Sequence, residues 1–417
     1  MPGQVLRFGA RADRVAAAVE ALVPSAQIPG AVFGLECDGE RRFSAIGFMD
    51  IERSRPMPMD AIFRIASLTK PVAAVAALQM VEDGLFTLDD PVSRLAPELA
   101  APRVLRRIDG PVDDTVAAER PILMGDLLAC RIGLGMLLPS PEAPRPPILD
   151  LMAERGFAVT PNAPPFADAD AYLAALADMP LMRHPGETWL YDTSINVLGA
   201  VMERAAGKPL PHILAERVFE PLGMVDTGFH VAQDALDRLP PSYRAGPSAD
   251  APRAADKAGA ESRYAAPPAF ASAAAGLVTT AEDYLAFCRA MRGIGAKVRS
   301  AVASGAALST ERGGAPLSPA SYAAMTTGQI APEQRLGMAF GPGFWERHNW
   351  GLGVALLEGR APGDAFGVGW DGGRGTTASW DVETGVSAAL FTQRMLDGAP
   401  MAELFHAFRA ALHSDRW

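Results

Sequence analysis

Between Val72 and Val81 nine of ten residues are apolar, with Gln79 the exception. A helix without a polar face is a buried one, so this run predicts a helix inside the core. It is entered through Phe63-Arg64-Ile65-Ala66-Ser67-Leu68-Thr69-Lys70-Pro71. Proline lacks an N–H and is tolerated in a first turn but not in a helix interior, which predicts a start within a few residues of Ser67. Ser67 then stands at the positive end of the helix dipole.

Strand patterns gather toward the two ends of the chain. Ala31 to Cys37 and Arg42 to Gly47 are β-prone runs joined around Asp38-Gly39, a dipeptide that accepts positive φ and favours a tight hairpin. Trp350 to Leu357, Thr376 to Val382 and Val386 to Thr392 predict three more strands, the last two linked at Glu383-Thr384-Gly385. Met1 to Val23 predicts an amphipathic helix and Met401 to His413 a closing one. Trp345, Trp350 and Trp380 are expected to pack the sheet.

From Leu78 to about Gly343 helical patterns dominate, among them Ala171 to Asp178, Asn196 to Ala206 and Ala281 to Arg292. Proline-rich loops separate them, notably Pro139 to Pro165 and Leu239 to Pro268. The 36 prolines exceed the roughly 5% that is ordinary, and long irregular segments in a compact domain are more often binding loops than spacers. The expected fold is of the α/β (α+β) class. An antiparallel sheet is built from both chain ends, residues 1–88 and 345–417, and flanked by the N- and C-terminal helices. A mostly helical domain, 89–344, is inserted between them, with the site in the cleft.

Composition narrows the function. At 417 residues and 49% hydrophobic the chain can bury one large core or two adjoining ones. A net charge of -10 lacks the basic footprint of a nucleic-acid or anionic-membrane binder, so neither is an expected partner. Cys37, Cys130 and Cys288 lack metal-ligand spacing and are expected to be reduced and buried. No metal or cofactor is expected. Met1 to Val23 lacks the continuous apolar core of a secretory signal, and no later run is long enough to span a bilayer, so a cytoplasmic location is expected.

The charge inventory sharpens one position. Of 38 basic residues only four are lysines, at 70, 208, 257 and 297. Ser67 and Lys70, three apart, share one helix face, close enough for the amine to take or share the hydroxyl proton. Burial can lower a lysine pKa and let it exist neutral, whereas guanidinium stays protonated, so a lysine here has a chemical reason. The bland alternative, a capping serine and a surface cation, fits poorly with a lysine at the threshold of an apolar helix. Competing signals are weaker. Gly367-x-Gly369-x-x-Gly372 carries Trp370 and Asp371 inside it and is followed by a strand, unlike a dinucleotide loop. The six histidines form no metalloprotease pair, and no Gly-x-Ser-x-Gly elbow occurs.

At this point the chain resembles the serine β-lactamase and penicillin-binding-protein superfamily, in particular the class C β-lactamase-like carboxylesterases called family VIII esterases. Ile62 to Lys70 is similar to the family's first motif, and Gly84-Leu85-Phe86-Thr87-Leu88-Asp89-Asp90-Pro91-Val92 to the segment that follows it. Tyr191-Asp192-Thr193, preceded by Pro185-Gly186-Glu187 and followed by Asn196-Val197-Leu198-Gly199, is similar to the second motif, with Thr193 where β-lactamases carry Asn. Trp370-Asp371-Gly372 resembles the Trp-Gly-Gly form of the third motif, in which Trp replaces the Lys that helps bind penicillin carboxylates. Where relatives usually read Leu-Leu-Thr-His-Thr-Ser-Gly-Leu, this chain has Leu127-Leu128-Ala129-Cys130-Arg131-Ile132-Gly133-Leu134, so the loop near the site is expected to be arranged differently.

The resemblance implies a nucleophile at Ser67, proton transfer by Lys70 and Tyr191, and an oxyanion hole from the N–H groups of Ser67 and Gly373. Gly373 would lie on an edge strand. Trp370, Asp371 and Gly372 would line the substrate site, and Asp192 would orient its loop or face water. The expected activity is hydrolysis of short- to medium-chain carboxylic esters, with a small-molecule ester as the partner. β-Lactamase, peptidase or acyltransferase activity and a non-catalytic binding role are the alternatives. Which of Lys70 and Tyr191 is the base stays open.

Overall fold

The computed structural model describes residues 2–413 apart from 26, 38, 139–143, 247–251, 336–339, 341–342 and 358–366. Asp38 of the expected hairpin turn and parts of both proline-rich loops therefore lie outside the described residues. The two chain ends meet in one antiparallel sheet. Its strands are β1 (Gly30–Cys37), β2 (Glu40–Gly47), β3 (His348–Trp350), β4 (Ala355–Leu357), β5 (Val368–Gly372), β6 (Thr376–Asp381) and β7 (Val386–Thr392), in the order β2-β1-β7-β6-β5-β4-β3. The seam between the ends is β1 against β7, from Ala31 opposite Thr392 to Cys37 opposite Val386.

Side chains alternate across a strand, and the sheet is covered on both faces. Phe33, Leu35, Ala388 and Leu390 point to one face, where they pack with Val15 and Val19 of α1 (Pro2–Glu20) and Phe405 and Phe408 of the C-terminal helix. Val32, Ala389 and Phe391 point to the other face and join the main core. Every residue of β1 is buried, as a central strand covered twice requires. Strand β2 begins with exposed Glu40, Arg41 and Arg42, charges that discourage edge-to-edge pairing.

The main core is organised by α2 (Thr69–Glu82), buried from Thr69 to Met80 as its pattern predicted. The helical part contributes α3 (Ala169–Ala177) and α4 (Thr193–Ala206), which carry the expected patterns at 171–178 and 196–206. Helix α5 (Ala281–Ser304) is longer than its sequence pattern; it is capped by the Thr280 hydroxyl, which accepts from the Asp283 N–H, and ends at Gly305. It lies against the sheet, with Tyr284 5.9 Å from Phe391 and Phe287 6.0 Å from Trp380 between ring centroids. The expected division had placed this helix with the inserted part, 89–344. Helix α6 (Ala399–His413) closes the chain over the outer face.

Two strand expectations need correction. Trp350 to Leu357 is not one strand: β3 and β4 are antiparallel and fold back through Gly351-Leu352-Gly353, where Gly353 takes φ +76. The hydrophobic pattern did not mark strand β5, because Gly369 and Gly372 depress its β-propensity; only the resemblance implied a strand at this motif. It lies between β4 and β6, but β4 pairs only with Val368 and Gly369, so Trp370 to Gly372, which lead into the Gly373 turn, are paired on the β6 side alone. Trp350 and Trp380 are buried in the sheet as expected, whereas Trp345 lies in a short helix, Phe344–Arg347.

Candidate active site

The chain enters α2 through one 3-10 turn, Ala66–Leu68. That turn is pinned from all sides. Thr376 Oγ1 of β6 donates to the Ile65 carbonyl at 3.1 Å, Tyr284 of α5 donates to the Leu68 carbonyl at 2.8 Å, and Thr69 Oγ1 donates to the Ala66 carbonyl at 2.7 Å while accepting from the Leu277 N–H. Ala66 is held at φ +42, a conformation costly for a residue with a Cβ. From Ala61 to Met80 every residue is buried except Ser67. The fold therefore surrounds this segment and leaves one hydroxyl accessible.

Lys70, one helical turn on, has no exposed surface. Its Nζ lies 3.2 Å from Ser67 Oγ, 2.6 Å from Asp192 Oδ1 and 2.9 Å from the Ala274 carbonyl. Burial works to lower its pKa, but Asp192 and, next to it, Tyr191 outweigh that and hold the group above the ordinary lysine value. The carboxylate against Lys70 is Asp192, which was expected only to orient its loop or face water. Asp192 is itself strained, at φ +87, at the entry to α4. The Ala274 carbonyl is aimed by Asn196 of α4, whose Oδ1 accepts from Ser272 Oγ at 2.8 Å and from the Ala274 N–H at 3.3 Å.

Tyr191 is 4% exposed, so its hydroxyl works inside the protein. Its backbone is anchored by the Met136 N–H, which donates to the Tyr191 carbonyl at 2.8 Å, and its ring lies under Lys70 Nζ at 4.2 Å. Burial pushes the phenol up; Lys70 pulls it back, Asp192 pushes it further, and hydrogen bonds with Ser67 and Lys70 lower it again. Trp370 Nε1 donates to the Tyr191 hydroxyl at 2.5 Å. Ser67 and Lys70, one helical turn apart, and Tyr191, far along the chain, thus meet in one cluster.

The remaining expected residues divide. Gly372 lies against the Ser67 segment: a Cβ there would sit 2.2 Å from the Ile65 carbonyl oxygen. The glycine allows strand β5 to approach the nucleophile turn, and this brings the Gly373 turn to the site. Asp371 points to the opposite face, pairs with Arg409 of α6 and does not face the substrate side, because neighbours on a strand alternate. Its expected role in substrate binding is withdrawn. Trp370 faces the cleft, its ring 5.0 Å from Trp350 and 5.4 Å from Phe340 between centroids.

Sequence reasoning missed the aromatic wall around Tyr191. Trp189, Phe340 and Trp350 stand 5.6, 4.9 and 5.7 Å from its ring. Cys130, in the departing loop, is buried at φ +55 beside Lys70 and Asp192, and burial raises its thiol to about 12, which makes it inert. Its carbonyl accepts the Leu190 N–H at 2.8 Å, so this loop holds the Tyr191 segment. Three of the four described non-glycine residues at positive φ, namely Ala66, Cys130 and Asp192, therefore gather at the site.

An accessible serine on a strained turn, hydrogen-bonded to a buried lysine beside a buried tyrosine and set between a sheet and a helical part, defines a serine hydrolase. The Beta-lactamase family model matches residues 15–412, and the chain belongs to that family. It is 36% identical over 338 residues to Protein Rv1367c of Mycobacterium tuberculosis, covering 79% of this chain and 77% of that one. It is 34% identical over 303 residues to Esterase EstB of Burkholderia gladioli, covering 68% of this chain and 72% of that one. Among solved structures, EstCE1, described as a hydrolase with promiscuous acyltransferase activity, superposes with a TM-score of 0.74 at 26% identity, covering 98% of this chain and all of that one. Among the described residues no helix is long and apolar enough to cross a membrane.

Proposed function

We propose that the protein is a carboxylesterase that hydrolyses short- to medium-chain esters through an acyl-enzyme on Ser67. The observation that carries this reading is the single accessible residue of an otherwise buried segment, Ser67, hydrogen-bonded to Lys70, whose Nζ lies over the Tyr191 ring. In the first half-reaction Ser67 Oγ attacks the ester carbonyl as its proton passes to the Lys70–Tyr191 pair. The N–H groups of Ser67 and Gly373 hold the tetrahedral oxyanion, each donor contributing about 2.7 to 4 kcal/mol in sites of this kind. Collapse breaks the bond to the alkoxy group, which leaves as the alcohol with the proton returned from the pair. Water then repeats the sequence and releases the acid.

A neutral substrate fits the electrostatics. Asp192 balances the Lys70 charge, and Trp370 stands where a β-lactamase carries a lysine, so no cation is presented to a substrate carboxylate from these two positions. The chemistry needs no metal or cofactor. We infer a cytoplasmic location, supported by three buried cysteine thiols, and a small-molecule ester as partner, with neither nucleic acid nor membrane. A second reading, acyl transfer to an alcohol, is favoured by the aromatic wall beside Tyr191, which can hold an apolar alcohol in place of water.

The test is turnover of nitrophenyl acetate and butyrate, with mass spectrometry after a phosphonate inhibitor. Wild type is expected to turn over and to carry the label on Ser67, while Ser67→Ala, Lys70→Ala and Tyr191→Phe lose activity. An unchanged rate in Ser67→Ala would sink the proposal. Added alcohol that diverts the acyl group to a new ester would establish the second reading.

A further inference from the structure

Arg374, the residue after the expected oxyanion glycine, is a guanidinium with only 2% of its surface exposed. Among the described residues no carboxylate forms an ion pair with it, and Asp256, which acts on it through space, is taken by Arg64 Nε at 2.6 Å. Its donors end on neutral groups instead: Asn162 Oδ1, the Pro161 carbonyl at 3.4 Å, Ser242 Oγ at 3.2 Å and Met395 Sδ at 3.9 Å. A buried cation without a counter-ion is costly, so its place beside the site calls for a reason. We infer that Arg374 is a positioning residue that latches the proline-rich loop 157–166 onto the Gly373 turn, and that Pro161, held there, is the wall that limits the length of the acyl group. This rests on the esterase reading above and deepens it.

The loop is closed at its base and tied at its tip. The rings of Phe157 and Phe166 lie 5.1 Å apart, and both pack on Tyr172 of α3, at 5.3 and 5.1 Å between centroids. Ends held together in this way make a compact loop that projects its middle. The Tyr172 hydroxyl donates to the Thr193 carbonyl at 3.3 Å, which joins the base to the start of α4, next to Tyr191. The tip reaches the other side of the cleft, where Arg374 follows β5 and holds Pro161 and Asn162. A Cβ on Gly373 would sit 3.1 Å from Pro161 Cβ and 3.8 Å from its Cγ, so the pyrrolidine ring lies directly against this glycine. From behind, the Leu396 N–H donates to the Gly373 carbonyl at 3.0 Å and the Gly375 N–H to the Gly372 carbonyl at 2.9 Å, which leaves the turn little room to retreat.

The ester carbon decides which part of a substrate meets the ring. Its oxygen goes to the N–H groups of Ser67 and Gly373, and its alkoxy oxygen faces Tyr191, which returns the proton. The acyl chain takes the remaining direction, beside the oxyanion donor and away from the aromatic wall around Tyr191, and Pro161 stands on that side. A proline ring has few ways to yield, because its φ is fixed. A short acyl chain ends before the ring, whereas a long one has to push the loop off its latch.

Two ester series test this. With nitrophenol as the constant leaving group the acid runs from acetate through butyrate to octanoate; with butyrate as the constant acid the alcohol runs from methanol through nitrophenol to naphthol. Asn162→Ala removes the latch acceptor at a half-buried position, Pro161→Ala removes the ring, and Arg374→Met removes the donors. Each is expected to raise kcat/KM on octanoate relative to acetate by about tenfold or more, since even one methylene admitted to or excluded from an apolar pocket is worth about that much. The ranking of the alcohols is expected to stay as in wild type. Asn162→Asp keeps the acceptor and gives the guanidinium a counter-ion, so it should retain the wild-type acyl profile. An equal fall on all esters, as a merely structural role would give, a shift confined to the alcohol series, or an unaltered acyl profile in Asn162→Ala and Pro161→Ala overturns the inference. The last two variants keep it falsifiable if Arg374→Met fails to fold. Phosphonate labelling of wild type separates the two levels: label on Ser67 with any of those outcomes defeats the latch alone, whereas no label on Ser67 defeats the esterase reading and this inference together.

Discussion

The indole N–H of Trp370 and the hydroxyl of Tyr191 lie 2.5 Å apart, the tryptophan donating. The residue that removes the family's third-motif cation therefore also takes over part of its work, since a donor to the phenol oxygen favours the ionised form. Trp370→Phe keeps the ring and deletes the donor. A hydrogen bond to a charged group contributes about 1.5–3 kcal/mol, so kcat/KM should fall about 10- to 100-fold. The alkaline limb should move to higher pH, because the phenolate has lost support. Steady-state kinetics from pH 6 to 10 check this, and a fall in rate with an unmoved limb would count against the donor role.

Lys70 and Asp192 should separate stability from activity. Both are buried, so Lys70→Met leaves a carboxylate without its counter-charge, which typically costs about 3–5 kcal/mol. Lys70→Met combined with Asp192→Asn removes both charges and should regain most of that stability in urea unfolding, yet remain inactive. A double variant no more stable than the single one would show that the pair is not coupled.

Gly372 tests the approach of strand β5 to the nucleophile. Its alanine Cβ would press on the Ile65 carbonyl oxygen and on Thr376 Oγ1, each 2.2 Å away. Gly372→Ala should lower kcat by more than tenfold and reduce stability by about 1–3 kcal/mol, the usual cost of overpacking. Gly293→Ala, in α5 with nothing within 4 Å of the added Cβ, is the control. It should leave the rate unchanged and stabilise by about 0.5–1 kcal/mol.

Asp283, in the first turn of α5, gives a pH signature of its own. Burial raises its carboxyl to about 6, against the Thr227 hydroxyl and the Asp226 N–H, which donate to it and lower it. A raised acid binds its proton more tightly when folded, so its contribution is harmless below about pH 4 and becomes a penalty as pH rises through 6. With roughly 1.4 kcal/mol per pKa unit, that penalty is about 3 kcal/mol. Asp283→Asn should therefore raise Tm at pH 8 and change it little at pH 4. An equal change at both values would place the effect in packing and not in titration.

Much of this protein was written in local patterns. The apolar run after Ser67 announced a buried helix, alternation marked four strands of the sheet, and Ser67, Lys70 and Tyr191 stood out by residue type and spacing. The structure brings these three together because Lys70 is one turn from Ser67 and α4 delivers Tyr191. Local signals failed where the chain is held by distant neighbours. Strand β5, with its two glycines, is a strand only because β4 and β6 flank it, and Gly353 breaks what reads as one strand into two.

The sequence by itself determined which groups could do chemistry; the tertiary structure decided their charges and directions. A lysine entering an apolar helix can be neutral or charged, and the choice depends on a carboxylate 122 positions away in the chain. Asp371 and Trp370 are equally plausible as substrate contacts until the pleat sends one to Arg409 and the other to Tyr191. Protonation state and orientation are properties of through-space distance at low dielectric, and that distance exists only after the chain has folded.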